Sequence, residues 1–94
     1  IQYARADLEH LDLSKESFDL AYSCLALDYM KGLPGRCANI YAALKPGSRF
    51  VFSIEHPILM APRNAGWLID GEGHKRWPLD SYQLEGERVT NWLA

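Results

Sequence analysis

The order of apolar and polar positions divides the chain into runs of strand length and one run of helical period. Ile1 to Ala6 is short and rich in β-forming residues, and Asp7-Leu8-Glu9 ends it. His10 to Ser17 is polar, with Leu11 and Leu13 as apolar anchors, and is expected to be a loop. Phe18 to Leu25 is mostly apolar, the pattern of a strand covered on both faces in a parallel sheet. Leu25 to Met30 opens a short helix or turn, which Gly32-Leu33-Pro34-Gly35 breaks. From Arg36 to Leu44 the apolar residues Cys37, Ile40, Tyr41 and Leu44 recur as one helical stripe. Lys45-Pro46-Gly47 is a helix stop. Arg49 to Glu55 is a second apolar strand, closed by His56-Pro57 because proline has no N–H for a ladder. Residues 18–55 therefore predict one βαβ unit with parallel strands.

After Pro57 the pattern changes. Residues 58–65 are irregular, and Gly66 to Gly73 is extended and then turns at glycines. Glu85-Gly86-Glu87 is another turn, and Arg88 to Leu93 alternates as a last strand. Residues 66–94 are thus expected to form antiparallel hairpins.

Composition narrows the partners. With 94 residues and 10.7 kDa the chain is at most one domain. A net charge of −2 lacks the basic excess of a nucleic-acid binder, so no nucleic acid is expected. The apolar runs are far too short to span a bilayer, and no membrane partner is expected. Cys24 and Cys37 make no disulfide framework, which fits a reduced, cytoplasmic chain. Residue 1 already sits in a predicted strand and the last strand stops without a turn, so a piece of a longer protein is expected.

Candidate chemistry is positional. No metal site is expected, since His10, His56 and His74 lie far apart and the cysteines do not form C-x-x-C. No nucleophile elbow or phosphate loop is present. In open parallel sheets ligands bind beyond the carboxyl ends of strands. Those ends are Asp7-Leu8, Ser23-Cys24-Leu25 and Ser53-Ile54-Glu55-His56. Ser23 and Cys24 also suit a packed strand, and Asp7 also suits a cap on nearby N–H groups. Glu55 and His56 are adjacent titratable groups at a strand end and are the candidates for acid–base work. A Cys24–His56 nucleophile pair lacks an orienting third group.

Three segments together carry a resemblance: Asp7-Leu8-Glu9-His10-Leu11, the run Ser17-Phe18-Asp19-Leu20 through Asp28-Tyr29, and Ala43-Leu44-Lys45-Pro46-Gly47 through His56-Pro57. In this order they resemble the class I S-adenosylmethionine-dependent methyltransferases, in particular the type 11/12, small-molecule branch. The tail, with Gly66-Trp67, Trp77, Tyr82, Arg88 and Trp92, looks like the insert that some of these proteins carry after the fifth strand.

The resemblance implies an α/β fold: a partial Rossmann-like methyltransferase sheet, one βαβ unit plus an antiparallel hairpin insert. Residues 1–57 would be core strands and helix, and residues 58–94 the insert. S-adenosyl-L-methionine is the implied cofactor and a small molecule the implied acceptor. Asp7 and Leu8 would meet the adenine, and Ser23, Cys24 and Leu25 the methionine and ribose part. Asp28 and Tyr29, with Glu55 and His56, would face the substrate. The family's glycine-rich first motif and its ribose-gripping acid would precede residue 1, so this piece alone is expected to be inactive. Ser48 stands where a second glycine is usual, and Asp28 where relatives often show histidine. The first and second strands would normally separate Ile1–Ala6 from the next strand. Residues 1–6 are therefore expected to pair non-natively or with a second copy, giving a homo-oligomer. The rival reading is a truncated, non-enzymatic association module anchored by Trp67, Trp77 and Trp92.

Overall fold

The computed structural model describes residues 1–89. The chain divides into two compact units, Ile1–Ile54 and Glu55–Ala94.

In the first unit, β1 (Phe18–Cys24) pairs in parallel with β2 (Leu44–Ser53), as expected for a βαβ unit. Phe18 stands opposite Leu44 and Leu20 opposite Arg49, so Lys45-Pro46-Gly47 bulges out of the ladder, with Gly47 at φ 82°. From there Leu20 to Cys24 run in register with Arg49 to Ser53. The connection holds a 3-10 turn, Leu27–Tyr29, where a short helix or turn was expected, and then α1 (Leu33–Ala43).

Helix α1 starts three residues before the expected Arg36. Pro34 lies in its first turn, where the missing N–H is not needed, so the sequence breaker is in fact the helix start. The buried stripe is also rotated. Arg36 and Ala43 are buried with Ile40 half-buried between them, while Cys37 and Tyr41 face water. Strand β2 likewise begins at Leu44, before the expected Arg49, and ends at Ser53 rather than Glu55.

The segment before β1 is laced along α1. Glu9 Oε1 accepts from the Lys31 N–H at 2.8 Å, next to the helix N-cap Gly32. The Leu11 carbonyl accepts from Arg36 Nη1. At the other end, the amides of Glu16 and Ser17 donate to the Ala42 and Ala43 carbonyls at 2.9 and 2.8 Å. Residues 16 and 17 thus serve orphan carbonyls at the helix C-terminus, while Glu9 and Leu11 tie the segment to the helix start.

Residues 1–6 are not a strand. The segment lies exposed, Ile1 and Tyr3 fully so, and it pairs with no other described residue. An extended segment without a neighbouring strand leaves its N–H and C=O groups to water, and no pairing with another described residue occurs. The expected two-sided cover of β1 also fails: Leu20 and Tyr22 are 57% and 69% exposed. Among the described residues the buried apolar core is Leu27 and Ala43.

The second unit opens with α2 (Pro57–Met60), inside the stretch expected to be irregular. His56 caps it, its Nδ1 accepting from the Ile58 N–H at 3.1 Å. The expected antiparallel hairpin is present but small. Strands β3 (Leu68–Ile69) and β4 (Lys75–Arg76) pair across the Asp70–His74 turn. Trp67 and Trp77 meet edge to face at 5.2 Å, and Trp77 Nε1 donates to the Ile58 carbonyl, so this pair packs within its own unit. Arg88 and Val89 are not in a strand; the rest of the expected last strand, with Trp92, lies outside the described residues. Among the described residues no helix is long and apolar enough to cross a membrane.

Candidate functional site

Seven of the nine candidate residues lie in the first unit: Asp7, Leu8, Ser23, Cys24, Leu25, Asp28 and Tyr29. Asp7 heads a tight turn. Its Oδ1 accepts from the Glu9 N–H at 3.0 Å and its carbonyl from the His10 N–H at 3.1 Å. Its Oδ2 lies 2.7 Å from His10 Nδ1. The bond to His10, then that to the Glu9 amide, holds the Asp7 carboxyl below its ordinary range. Asp7 is therefore a cap, as its position allowed. It is also an exposed carboxylate with acceptor capacity to spare, since each oxygen carries two lone pairs.

The carboxyl ends of β1 and β2 form the second cluster. The Leu25 N–H donates to the Ser53 carbonyl at 3.0 Å, extending the ladder one step. Leu25 turns the chain off the strand at φ 48°, a left-handed conformation that costs a leucine about 1–2 kcal/mol. Strained backbone of this kind is concentrated at functional sites. Beside it, Ser53 Oγ lies 3.4 Å from Cys24 Sγ. The Tyr22 hydroxyl bonds the same thiol, and that contact raises the Tyr22 pKa. Tyr22 is not a candidate from sequence, and Ser53 enters there only as the start of the Ser53-Ile54-Glu55-His56 strand end. Their convergence on Cys24 follows from the register Cys24 opposite Ser53 and from the same-face alternation of residues 22 and 24.

A cavity of about 240 Å³ lies under α1 and along β1. Its lining includes Leu8, Ser23, Leu27, Ile40, Phe50 and Arg36. It brings Leu8, from the Asp7 turn, and Ser23, near the end of β1, to one apolar space. Arg36 is 7% exposed, and its Nε has no hydrogen-bond partner. Asp28 and Tyr29 stand exposed on the 3-10 turn that buries Leu27 between them and β1's end.

Glu55 and His56 belong to the second unit. The cap on α2 uses the lone pair of His56 Nδ1, so the neutral ring carries its proton on Nε2. In this state His56 presents a donor rather than a base. Further along, Asp70, Glu72 and His74 bring one ligand atom each within 4.8 Å of one another. Sequence spacing missed this group, which the turn assembles. Asp70 is already engaged: Oδ1 accepts from the Glu72 and His74 amides at 3.0 and 2.8 Å, and Oδ2 from Arg76 Nε at 2.8 Å. Its carboxyl is held below the ordinary range by Arg76 first, then by the His74 amide.

Comparison with known proteins gives a consistent picture. The model of the methyltransferase domain matches residues 1–52. The crystal structure of an S-adenosylmethionine-dependent methyltransferase from Mesorhizobium loti is 54% identical, with a TM-score of 0.88 over 97% of this chain and 42% of that one. A putative S-adenosylmethionine-dependent methyltransferase from Listeria monocytogenes is 31% identical, with a TM-score of 0.86 over 98% of this chain and 44% of that one. An uncharacterized protein of Haemophilus influenzae is 29% identical over 97 residues, 95% of this chain and 38% of its own length. The chain thus spans less than half the length of each of these relatives.

Proposed function

The chain belongs to the methyltransferase-domain family of class I, S-adenosylmethionine-dependent proteins, and from that premise we propose that it forms the central to C-terminal-side part of an enzyme methylating a small molecule. The observation that carries the reading is the parallel β1–β2 pair whose carboxyl ends present Ser23, Cys24 and Leu25, with the Asp7–Leu8 turn sharing a cavity with Ser23. The donor set fits the adenine end of the cofactor, because Asp7 offers an exposed acceptor and Leu8 an apolar wall. When bound, S-adenosylmethionine supplies an electrophilic methyl group on a sulfonium. The residues of this chain orient and exclude water, which is where such a displacement gains most of its rate. Asp7 accepts from an amine. Ser23, Cys24 and Leu25 line the crevice, and Asp28 and Tyr29 stand on the acceptor side. Glu55 is the candidate base, with His56 as an orienting donor through Nε2. Both thiols are free, and we place the protein in the cytoplasm.

The test is calorimetric titration with S-adenosylhomocysteine. The full-length protein containing these residues is expected to bind it, and Asp7→Ala to weaken binding. The 94-residue chain alone is expected to show no tight binding. Micromolar binding by the chain alone would show that the upstream motif is dispensable. An association module is the second reading, supported by residues 1–6, which are exposed and pair with no other described residue. Sedimentation of the chain separates the two: self-association through residues 1–6 with no cofactor binding by the full-length protein would favour it.

A further inference from the structure

We infer that Glu9 is a positioning residue for the turn that carries Asp7 and Leu8, locking that turn to the residues that lead into α1. The inference rests on the adenine-side reading of Asp7 and Leu8. Residues 1–6 are exposed and pair with no other described residue, so the ties to the turn that are seen run downstream. Glu9 acts in both directions: its backbone N–H donates to Asp7 Oδ1 at 3.0 Å, and its Oε1 accepts from the Lys31 N–H at 2.8 Å, across 22 positions. Its Oε2 would stand 3.6 Å from a Cβ placed on Gly32, the residue at the helix N-cap. Helix α1 has neither a side-chain cap nor an acidic residue in its first turn. Glu9 brings a negative charge to the positive end of α1 from outside the helix, while its acceptor bond goes to Lys31, the residue before the N-cap. Two residues on, Arg36 Nη1 holds the Leu11 carbonyl and makes a second tie, this one from the first turn of α1 itself. The Asp7 carboxylate is thereby placed relative to β1's end through α1.

The test has two arms. In the 94-residue chain, amide exchange at Lys31 is expected to rise at least about tenfold in Glu9→Ala, the loss of one hydrogen bond to a charged acceptor. Glu9→Gln keeps an oxygen acceptor and is expected to retain most of the protection. In the full-length protein, the Kd for S-adenosylhomocysteine is expected to rise about tenfold in Glu9→Ala. It is expected to stay within about threefold of the parent in Glu9→Gln, while kcat at saturating S-adenosylmethionine is unchanged in both. Should Glu9→Ala fail to fold, Glu9→Asp keeps the charge but loses the reach and carries the same expectation. A purely structural role would lower the folded fraction and leave the Kd of the folded molecules as it was. If Asp7→Ala weakens binding and the Glu9 variants bind like the parent, the inference fails and the adenine-side reading survives. If Asp7→Ala binds like the parent, the adenine-side reading fails and the inference falls with it.

Discussion

Arg36 offers the sharpest energetic test, because its contributions oppose one another. It is 7% exposed, donates from Nη1 to the Leu11 carbonyl, and keeps an Nε with no partner. Arg36→Met removes the bond to Leu11, worth about 1.5–3 kcal/mol for a charged donor. It also removes the orphaned Nε, whose burial costs about 1–3 kcal/mol. Leu11 is only half-buried and can turn its carbonyl to water. The two terms offset, so methionine is expected to lie within about 1 kcal/mol of the parent, as for other buried charges replaced by apolar residues of similar length. Arg36→Ala removes the same polar groups and two stem methylenes besides, about 0.8 kcal/mol each. It also enlarges the adjoining cavity of about 240 Å³. Alanine is therefore expected to cost about 2 kcal/mol more than methionine. The assay is urea unfolding followed by far-ultraviolet circular dichroism, comparing midpoints at constant slope. Tryptophan fluorescence cannot serve, since Trp67, Trp77 and Trp92 all lie beyond residue 54. Methionine as damaging as alanine would refute the reasoning, because the guanidinium bond rather than the aliphatic stem would then hold Arg36 in place.

Other outcomes follow from single features. Gly47→Ala meets open space but forces a Cβ onto φ 82°, and is expected to destabilise the chain by about 1–2 kcal/mol; an unchanged urea midpoint would contradict the turn geometry. Asp80 is held below its ordinary value of 3.8 by Asn64 first, as Asp70 is by Arg76. Both groups bind protons more weakly folded than unfolded, so they favour the fold above that value and lose the contribution as pH falls through their lowered values. Tryptophan emission in an acid titration is expected to stay level until below the ordinary carboxylate range, and an onset above about pH 5 would assign the transition to other groups. Cys24 and Cys37 are free and exposed, so a thiol reagent is expected to titrate both without denaturant; a single reactive thiol would show one of them covered.

The parallel pair was legible because two apolar runs of strand length flank a helical stretch and a Lys45-Pro46-Gly47 stop. What failed was whatever depended on neighbours. Ile1–Ala6 has the residues of a strand, yet a strand exists only through a partner, and periodicity is blind to that. The stripe on α1 was placed through Cys37 and Tyr41 because an arginine reads as outward-facing. Arg36 instead buries its stem and delivers its head to a carbonyl 25 positions away. The candidate site shows the same division. The rule that ligands gather at carboxyl ends of strands names Ser23, Cys24 and Leu25 at the end of β1, and Asp7 at the end of a strand that does not form. That rule does not reach Glu9 or Tyr22, nor the pairing of Ser53 with Cys24, because those partners are separated in sequence or set by register. The tie from Glu9 to Lys31 leaves no trace in spacing or composition.

These long-range ties matter because the buried apolar core is so small. Leu27 and Ala43 are its described members, so the first unit relies on Glu9, Arg36 and the Glu16 and Ser17 amides to hold α1 in place. The second unit uses polar clamps in the same way. Asp80 accepts from the Arg63 amide and from Asn64 Nδ2, both at 2.7 Å, and Arg88 donates to the carbonyls of Ala61, Ser81 and Leu84. Such clamps satisfy backbone groups where no ladder does, but each fixes only the few residues it touches. A segment held this way opens locally, one clamp at a time, rather than with a shared core. Amides tied to Asp80 and Asp70, those of Arg63, Asn64, Glu72 and His74, are therefore expected to exchange ahead of the β1–β2 ladder. Exchange of all of them together with the ladder, in one cooperative step, would show that the clamps are coupled more tightly than their separate contacts imply.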